Sequence, residues 1–276
     1  MKVCICGTVK NVGKYINNVF QNMEKIATLF EDYVIILYYD DSNDNTLELL
    51  KKYQFHNKKL LFFVNKKKLF KSRIHNIARG RNFCLNVIRQ KFSNYEYFIM
   101  MDCDDVCSGK INLNVLKQCL QEEKINKWDA LTFNRKDYYD IWALSVIPYV
   151  VSMRHFHNMG KVESIMRVYI KKLLDGEGVK KDDLISCYSA FNGFSIYKSN
   201  IFLKCYYDGK LRVDLIPRIL IKRNQLLVRE KLKLNNRIIS NSEDSIYEDC
   251  EHRSFHLQAI NKFNAKICIS PKILFE

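Results

Sequence analysis

Strand-like and helix-like patterns alternate along the first part of the chain, and this alternation restricts the fold more than any other feature. Apolar, β-rich runs occur at KVCICGTV, YVIILYY (33–39), LLFFV (60–64) and YEYFIMM (95–101). Between them, apolar residues recur with helical spacing over 11–30, in LELLKKY and over 74–92. Strands that alternate with helices predict an α/β fold, with a mostly parallel sheet covered by helices on both faces.

The second half of the chain is less regular. WDALTFN (128–134) and AKICISPKIL predict strands, 145–174 predicts mainly helix, and AFNGFSIYK (190–198) predicts a strand with a glycine bend. IYEDCEHRSFHLQAINKF has the pattern of a helix N-terminus. Because no internal repeat or linker is visible, we predict one domain, 1–276, with an irregular elaboration in its second half.

The chain is strongly basic. Its 276 residues include 45 Lys+Arg against 30 Asp+Glu, a formal net charge of +15, and 47% are hydrophobic, which is typical of a globular protein. The lysines are spread along the chain and no nucleic-acid-binding motif is present, so we expect no nucleic-acid partner. The segment 212–237 is basic and amphipathic, which would suit peripheral contact with an anionic membrane or acidic glycan. A solvated Lys-rich surface is the favoured interpretation.

The cysteines and the apolar stretches indicate the cellular compartment of the protein. None of the ten cysteines belongs to a zinc-type set, and most fall inside apolar patterns, which indicates free thiols in a reducing compartment. The N-terminus lacks a signal-peptide pattern. The longest uncharged stretch, Ile141 to Met153, is shorter than the roughly 20 residues of a membrane helix. We therefore expect a cytoplasmic protein with no transmembrane segment.

Acidic side chains follow two of the predicted strands. In open α/β sheets ligands bind beyond the carboxyl ends of the strands, so residues at those ends should converge on one edge. These residues are Thr8, Asp40, Asp41, Asp102 and Asp104. Neighbouring carboxylates raise each other's energy unless a cation lies between them. Asp102 and Asp104 project from one side of an extended chain and would suit a divalent metal such as Mn²⁺ or Mg²⁺.

These stretches together resemble a known family. A T-x-x-N-x-x-x-x-I loop and helix, DDSNDNT (40–46), A-x-x-RN, the D-x-D of MMDCDDV, NGF-x-IYK and EDCEH occur in that order. The set is similar to that of nucleotide-sugar-dependent glycosyltransferases of the GT-A fold. The resemblance covers residues 1–106, 192–198 and 248–270. It implies a nucleotide-sugar-binding half, 1–106, and an acceptor-side half, 107–276.

The resemblance also implies roles in donor binding. Asp40 or Asp41 would bind the base of the donor, near the Thr8 backbone, and the choice stays open because DDSNDNT is one residue shorter than the common DDGSTDGT. Arg81 would orient the D-x-D motif. Asp102 would lie near the ribose and the metal, and Asp104 would bind the metal that bridges the diphosphate. Asp105 is expected to cap a turn or to pair with a lysine.

The late EDCEH motif implies the catalytic base and further metal contacts. For inverting transfer, Asp249 is the predicted base and Glu248 the alternative. His252 and His256 can share the helix face of Asp249 and would supply a third metal ligand or contact the diphosphate. The alternative for each histidine is a buried, hydrogen-bonded side chain. The cofactor implied is a divalent metal, with Mn²⁺ preferred over Mg²⁺.

The function predicted from the sequence is therefore metal-dependent, hexosyltransferase-like glycosyl transfer in glycan biosynthesis. A sugar would pass from a UDP- or GDP-linked donor to a hydroxyl of a glycan or glycoprotein, with inversion favoured. A nucleotidyltransferase acting on sugar phosphates is one alternative, but it would show a Gly-rich phosphate loop that CGTVKNVGK resembles only faintly. The other alternative is a non-catalytic basic binding protein on the same fold, against which the intact acidic set argues.

Overall fold

The computed structural model describes residues 1–67, 70–176, 183–227 and 248–276. In chain order its elements are β1 (Lys2–Val9), α1 (Ile16–Ala27), β2 (Asp32–Tyr39), α2 (Thr46–His56), β3 (Leu60–Val64), α3 (Arg73–Lys91), β4 (Tyr97–Met101), α4 (Leu113–Cys119), α5 (Glu122–Ile125), β5 (Ala130–Asn134), α6 (Met159–Asp175), β6 (Ile185–Cys187), β7 (Phe194–Lys198), α7 (Ser199–Phe202), α8 (Arg218–Leu227), α9 (Glu251–Phe263) and β8 (Ile267–Ile273). Short 3₁₀ turns lie at Asp105–Cys107, Met153–His155 and Val213–Leu215.

The chain divides into two compact units. The first contains Met1–Asn126, Gly193–Lys204 and Leu274–Glu276. Its strands lie in the order β3-β2-β1-β4-β7. The first four are parallel, and β7 runs antiparallel to β4. Because β1 pairs Cys6 with both Ile36 of β2 and Met100 of β4, the carboxyl ends of these three strands meet at one edge of the sheet.

The core of this unit follows from the apolar runs of the sequence. Every residue of β4 is buried, as a strand covered on both faces requires. Helix α3 packs closely on β1 and β2 through Gly80, where a Cβ atom would lie 2.6 Å from the Thr8 methyl and 2.7 Å from the Tyr38 ring. The glycine thus permits a close approach that no other residue would allow without a shift. This packing determines where the following residue, Arg81, lies.

The second unit contains Lys127–Asn192 and Cys205–Ile273. In it β8 pairs parallel with β5 and antiparallel with β6. A core of Val150, Ile216 and Leu257 joins α9 to the loops before it. The helix predicted over 145–174 begins only at Met159, so this prediction is wrong for 145–158. Pro148 disfavours helix in the residue before it, and Asn158 caps α6 by accepting from the Lys161 N–H at 3.1 Å.

The predicted fold class, α/β with a mostly parallel sheet, is confirmed. The single domain and its division at residue 106 stay predictions, although the first compact unit continues to Asn126. All ten cysteines are free and buried. None of the helices within the described ranges has both the length and the apolar character needed to cross a membrane. Of the segment 212–237, residues 228–237 lie outside the described residues.

Candidate donor-binding site

The loops after β1 and β2 are tied to each other at the edge of the first unit. The backbone N–H of Asn11 donates to the Ser42 hydroxyl at 2.9 Å, and the Asn11 amide oxygen accepts from the Asn43 N–H at 2.7 Å. Asn11 has a φ of 53°, a left-handed conformation that asparagine tolerates better than most residues. The Val12 N–H donates to the Thr46 hydroxyl at 2.9 Å. These bonds give the edge a defined loop geometry.

A cleft of about 470 Å³ opens at this edge. Its lining includes five of the residues singled out from the sequence: Thr8, Asp40, Arg81, Asp102 and Asp104. Asp40 follows β2 and the Asp102–Asp104 pair follows β4, while Arg81 reaches the edge from α3. The structure therefore brings together the residues that the resemblance assigned to donor binding, except Asp41, although their roles stay predictions.

Arg81 is held against the first acid of the D-x-D motif. Its Nη2 lies 3.0 Å from the Asp102 Oδ1, and the two side chains are 5% and 21% exposed. Arg81 lies in the third turn of α3, because this helix begins at Arg73. The ion pair orients one oxygen of Asp102, while the carboxylate still lines the cleft.

The ionised form of Asp104 is disfavoured by its surroundings. Burial, together with the nearby Asp102 charge, raises the pKa of its carboxyl to about 6. The Asp104 Oδ1 also accepts from the Val106 N–H at 3.1 Å and caps the 3₁₀ turn Asp105–Cys107. The capping expected of Asp105 is thus made by Asp104, and Asp105 is exposed. A cation bound beside this carboxylate would stabilise its charged form.

The two acids after β2 are placed differently. Asp40 lines the cleft, and its Oδ1 accepts from the Asn65 side-chain amide at 2.8 Å, so one oxygen is fixed by the loop after β3. Asp41 is exposed and is not part of the cleft lining. Of the two acids that the sequence left as alternatives for binding the base, Asp40 has the position that suits the role.

The metal-ligating side chains of the cleft fit a divalent metal in part. Among the described residues, no three His, Cys, Asp or Glu side chains come together in a group that could hold a metal ion. The chain therefore offers the Asp102–Asp104 pair, whose hard carboxylate oxygens suit Mn²⁺ or Mg²⁺. One or two carboxylates are enough where substrate phosphates and water complete the coordination, as is usual for Mg²⁺. The raised pKa of Asp104 is consistent with such a site.

The predicted base, Asp249, lies in the second unit within a buried ion pair. It is 3% exposed, and its Oδ2 accepts from the Arg253 Nε at 2.8 Å. Its Oδ1 accepts from the Cys250 N–H at 2.8 Å. Arg253 also donates to the carbonyls of Leu144 and Trp142. Asp249 thus helps to hold the loop before α6, and Glu248 is less buried.

The two histidines of α9 are buried in the second unit. The His256 Nδ1 is 3.1 Å from the Ser189 hydroxyl, and burial, with a smaller effect of Arg253, lowers the pKa of His256 to about 3. The His252 ring stacks on Phe191 with centroids 3.7 Å apart. These surroundings support the alternative of buried, packed side chains for both. Neither belongs to a metal-binding group of three or more residues in the described parts of the chain.

Sequence reasoning missed several residues of the cleft. Lys10, Lys71 and Arg73 add positive charge to its lining, and Phe70 adds an aromatic ring. Lys10 follows β1 directly, so its place at the strand ends could have been inferred. Residues 70–72 precede α3 and Arg73 begins it, in a stretch without a motif, and only the fold brings these residues to the cleft.

Comparisons with known proteins give one family match and several similar structures. Residues 4–126, less than half of the chain, match the model of glycosyl transferase family 2. The whole chain is similar to residues 1–349 of S. aureus TarS, solved with UDP-GlcNAc, with 17% identity and a TM-score of 0.50. It spans 58% of that TarS structure. Three quarters of the chain align with the mannosyltransferase PcManGT from Pyrobaculum calidifontis, solved with GDP-Man and Mn²⁺, with 10% identity, 47% of that chain covered and a TM-score of 0.40.

The recognition made from the sequence, a resemblance to glycosyltransferases of the GT-A fold, is confirmed by the family match and by the shared fold. The match to glycosyl transferase family 2 rests on residues 4–126, the part that contains the residues named above from the cleft lining. Comparison with curated proteins finds no match.

Proposed function

We propose that the protein is a metal-dependent glycosyltransferase that moves a sugar from a nucleotide diphosphate sugar to a hydroxyl acceptor, with inversion at the anomeric carbon. The observation that carries the proposal is the single cleft lined by Asp40, Arg81, Asp102 and Asp104, inside the region that matches glycosyl transferase family 2. Carboxylates spaced along one edge suit a donor that presents a base at one end and a diphosphate at the other.

In this proposal Asp102 and Asp104 hold a divalent metal, with Mn²⁺ preferred over Mg²⁺, which would neutralise charge on the diphosphate leaving group. Arg81 keeps Asp102 oriented through the 3.0 Å ion pair. Asp40 accepts a hydrogen bond from the base with the oxygen that Asn65 leaves available. Lys10, Lys71 and Arg73 raise the affinity of the cleft for a polyanion, because they line it with positive charge.

The catalytic base is assigned to Asp249, with Glu248 as the alternative. A base must accept the proton of the acceptor hydroxyl as the bond to the sugar forms. Asp249 lies just before α9 in a buried hydrogen-bond network, which would keep a catalytic carboxylate rigid. Both of its oxygens, however, already accept hydrogen bonds within the protein. Glu248 is more accessible. Comparing variants at both positions decides between them.

For the remaining partners we retain the expectations from the sequence. The acceptor is a glycan or glycoprotein, in a cytoplasmic setting of glycan biosynthesis. The described part of the basic segment, with exposed Arg218 and Lys222 on α8, would suit peripheral contact with an anionic surface. Binding of the chain to vesicles that contain anionic lipid, compared with neutral vesicles, tests this contact.

A donor panel tests the proposed function. UDP- and GDP-sugars are incubated with the protein, with and without Mn²⁺, and release of the nucleoside diphosphate is measured. UDP-GlcNAc is a suitable first donor, because TarS was solved with it. We expect Mn²⁺-dependent release of UDP or GDP. Pyrophosphate release from a nucleoside triphosphate and a sugar phosphate would instead indicate a nucleotidyltransferase, and donor binding without turnover across acceptors would favour the non-catalytic alternative.

A further inference from the structure

Phe70 is a large apolar side chain that remains 48% exposed while lining the donor cleft. Isolated exposed apolar residues are common on protein surfaces and by themselves indicate nothing. Phe70 differs from them because its backbone and its ring are both fixed, and because the surface beside it is a binding cleft.

The backbone of Phe70 is clamped to the first turn of α3. The Asn76 amide oxygen accepts from the Phe70 N–H at 2.8 Å, and the Asn76 amide nitrogen donates to the Phe70 carbonyl at 2.8 Å. The same nitrogen donates to the Ser72 carbonyl at 2.9 Å. Asn76 thus satisfies both polar backbone groups of Phe70, much as a neighbouring strand would. The position of Phe70 is therefore coupled to a helix that packs on the sheet.

The ring of Phe70 is also held. The Arg79 guanidinium carbon lies 3.8 Å from the ring centroid, over one face, and the His75 ring stands edge-on at 5.9 Å. Because one face is covered, the exposed area belongs to the other face and the remaining edges. An aromatic ring fixed in this way loses little conformational entropy when a second flat ring stacks on it. Aromatic side chains of this kind are stacking partners for nucleobases.

Phe70 lies at the end of the cleft that suits the base. Strand ends follow one another in the order β3, β2, β1, β4, so Asp40 after β2 and Asp102 after β4 are about 10 Å apart in the sheet direction. Asn65, next after β3, holds Asp40. Arg79 is followed by Gly80, which packs against the Tyr38 ring of β2, two residues before Asp40. Arg79, which covers Phe70, is therefore on the Asp40 side of the cleft.

We propose that Phe70 is the stacking platform for the nucleobase of a nucleoside diphosphate sugar, with Asn76 and Arg79 as its positioning residues. This inference rests on the proposed function and deepens it. Every base has a π face, so Phe70 supplies affinity while hydrogen bonds at Asp40 supply discrimination between bases. The aromatic ring therefore contributes to binding of UDP and of GDP.

Calorimetric titration with UDP in the presence of Mn²⁺ tests the proposal. Stacking of one base on an aromatic side chain is worth about 1–3 kcal/mol, so F70A should weaken UDP binding by about 5- to 150-fold. F70L, apolar but not flat, should behave like F70A, while F70W should retain wild-type affinity. Inorganic pyrophosphate, which has no base, should bind all four proteins equally.

A fluorescence measurement gives a second readout. The indole introduced by F70W should be quenched by UDP at the concentrations that calorimetry shows to be saturating. F55W is the matched control, because Phe55 is 72% exposed and does not line the cleft. Its fluorescence should not respond to UDP, and F55A should bind UDP as wild type does.

The outcomes separate this inference from the proposed function. If folded F70A binds UDP with wild-type affinity, or if it loses UDP and pyrophosphate binding equally, the stacking role is overturned and the glycosyltransferase proposal stands. If the wild-type protein binds neither UDP nor GDP with Mn²⁺, the proposed function falls, and the stacking role falls with it. Thermal melting of each variant confirms that the folded protein is being compared.

Discussion

The Arg81 Nη2 lies 3.0 Å from the Asp102 Oδ1, and both side chains are largely withdrawn from solvent. This ion pair joins the third turn of α3 to the end of β4, the next element along the chain. It supplies a fixed countercharge for one acid of the D-x-D motif. In contrast, burial and the charges of Asp102 and Asp105 raise the pKa of Asp104. The two acids therefore respond differently to substitution and to pH.

The first prediction concerns the loss of this countercharge. In R81M the Asp102 carboxylate stays in the cleft and loses its ion pair with Arg81. Breaking a buried ion pair from one side typically costs 3–5 kcal/mol, and the partial exposure of Asp102 reduces this to about 2–4 kcal/mol. Urea unfolding of the apoprotein measures the difference.

Arg212 provides a matched control for that measurement. Its Nη2 lies 2.7 Å from the Asp214 Oδ2, but the side chains are 34% and 59% exposed. Exposed pairs contribute about 0–1 kcal/mol, so R212M should change the free energy of unfolding by no more than that. Equal costs for R81M and R212M would show that burial of the Arg81–Asp102 pair has no energetic consequence.

The elements around this pair show what could be predicted from the sequence. Parallel strands buried on both faces appear as apolar runs, so the strands of the first unit and the acids at their ends could be inferred. That Asp40 and not Asp41 lines the cleft could not be inferred, because both follow β2 and Asp40 is held by the Asn65 side chain from another loop. The clamp between Asn76 and Phe70 is a side-chain-to-backbone contact without a sequence signature. The i,i+4 spacing of Asp249 and Arg253 in the sequence is compatible with an ion pair, but it does not predict that the pair is buried.

The second prediction uses the pKa of Asp104, which burial and Asp102 raise to about 6. Between pH 4 and pH 6 the unfolded chain loses this proton more readily than the folded protein does, so the stability of the apoprotein falls as pH rises. D104N removes the effect and keeps the acceptor for the Val106 N–H. It should match wild type near pH 4 and exceed its stability at pH 7.5 by roughly 1–2 kcal/mol, after allowance for partial exposure.

A metal titration complements this stability comparison. Metal binding requires the ionised carboxylate, so Mn²⁺-dependent UDP binding by the wild-type protein should weaken as pH falls below about 6. D104A should bind UDP with an affinity that Mn²⁺ does not change. Unaltered Mn²⁺ dependence in D104A would remove Asp104 from the metal site.

The third prediction concerns His256. Burial and Arg253 lower its pKa to about 3, so below pH 6.5 the unfolded chain takes up a proton that the folded protein does not. Stability should therefore fall with decreasing pH. H256N should lessen the slope between pH 4 and pH 5.5 by about one proton, or about 1.4 kcal/mol per pH unit. His155, whose pKa burial also lowers, keeps part of the slope in the variant.

An exposed histidine serves as the control for this slope. His157 is exposed, so H157N is the matched substitution at a solvated imidazole. Chemical denaturation at several pH values gives the slope for each protein. Equal slopes for wild type and H256N would show that His256 does not stay neutral in the folded protein.

The last prediction concerns the catalytic base. D249N cannot take a proton, and general-base catalysis contributes about 10²–10⁴-fold, so turnover per folded molecule should fall by that order with donor binding retained. The variant also leaves Arg253, which is 2% exposed, without its carboxylate, so it should be destabilised as well. R253M separates the two effects, because it breaks the 2.8 Å ion pair and keeps the carboxylate at position 249. We expect R253M to lose stability as D249N does but to retain at least tenfold more turnover per folded molecule, while E248Q stays near wild type.

Equal losses in D249N and R253M would reduce Asp249 to a structural residue, and a large loss in E248Q would transfer the base to Glu248. Retention of the donor's anomeric configuration in the product would contradict inversion at either residue.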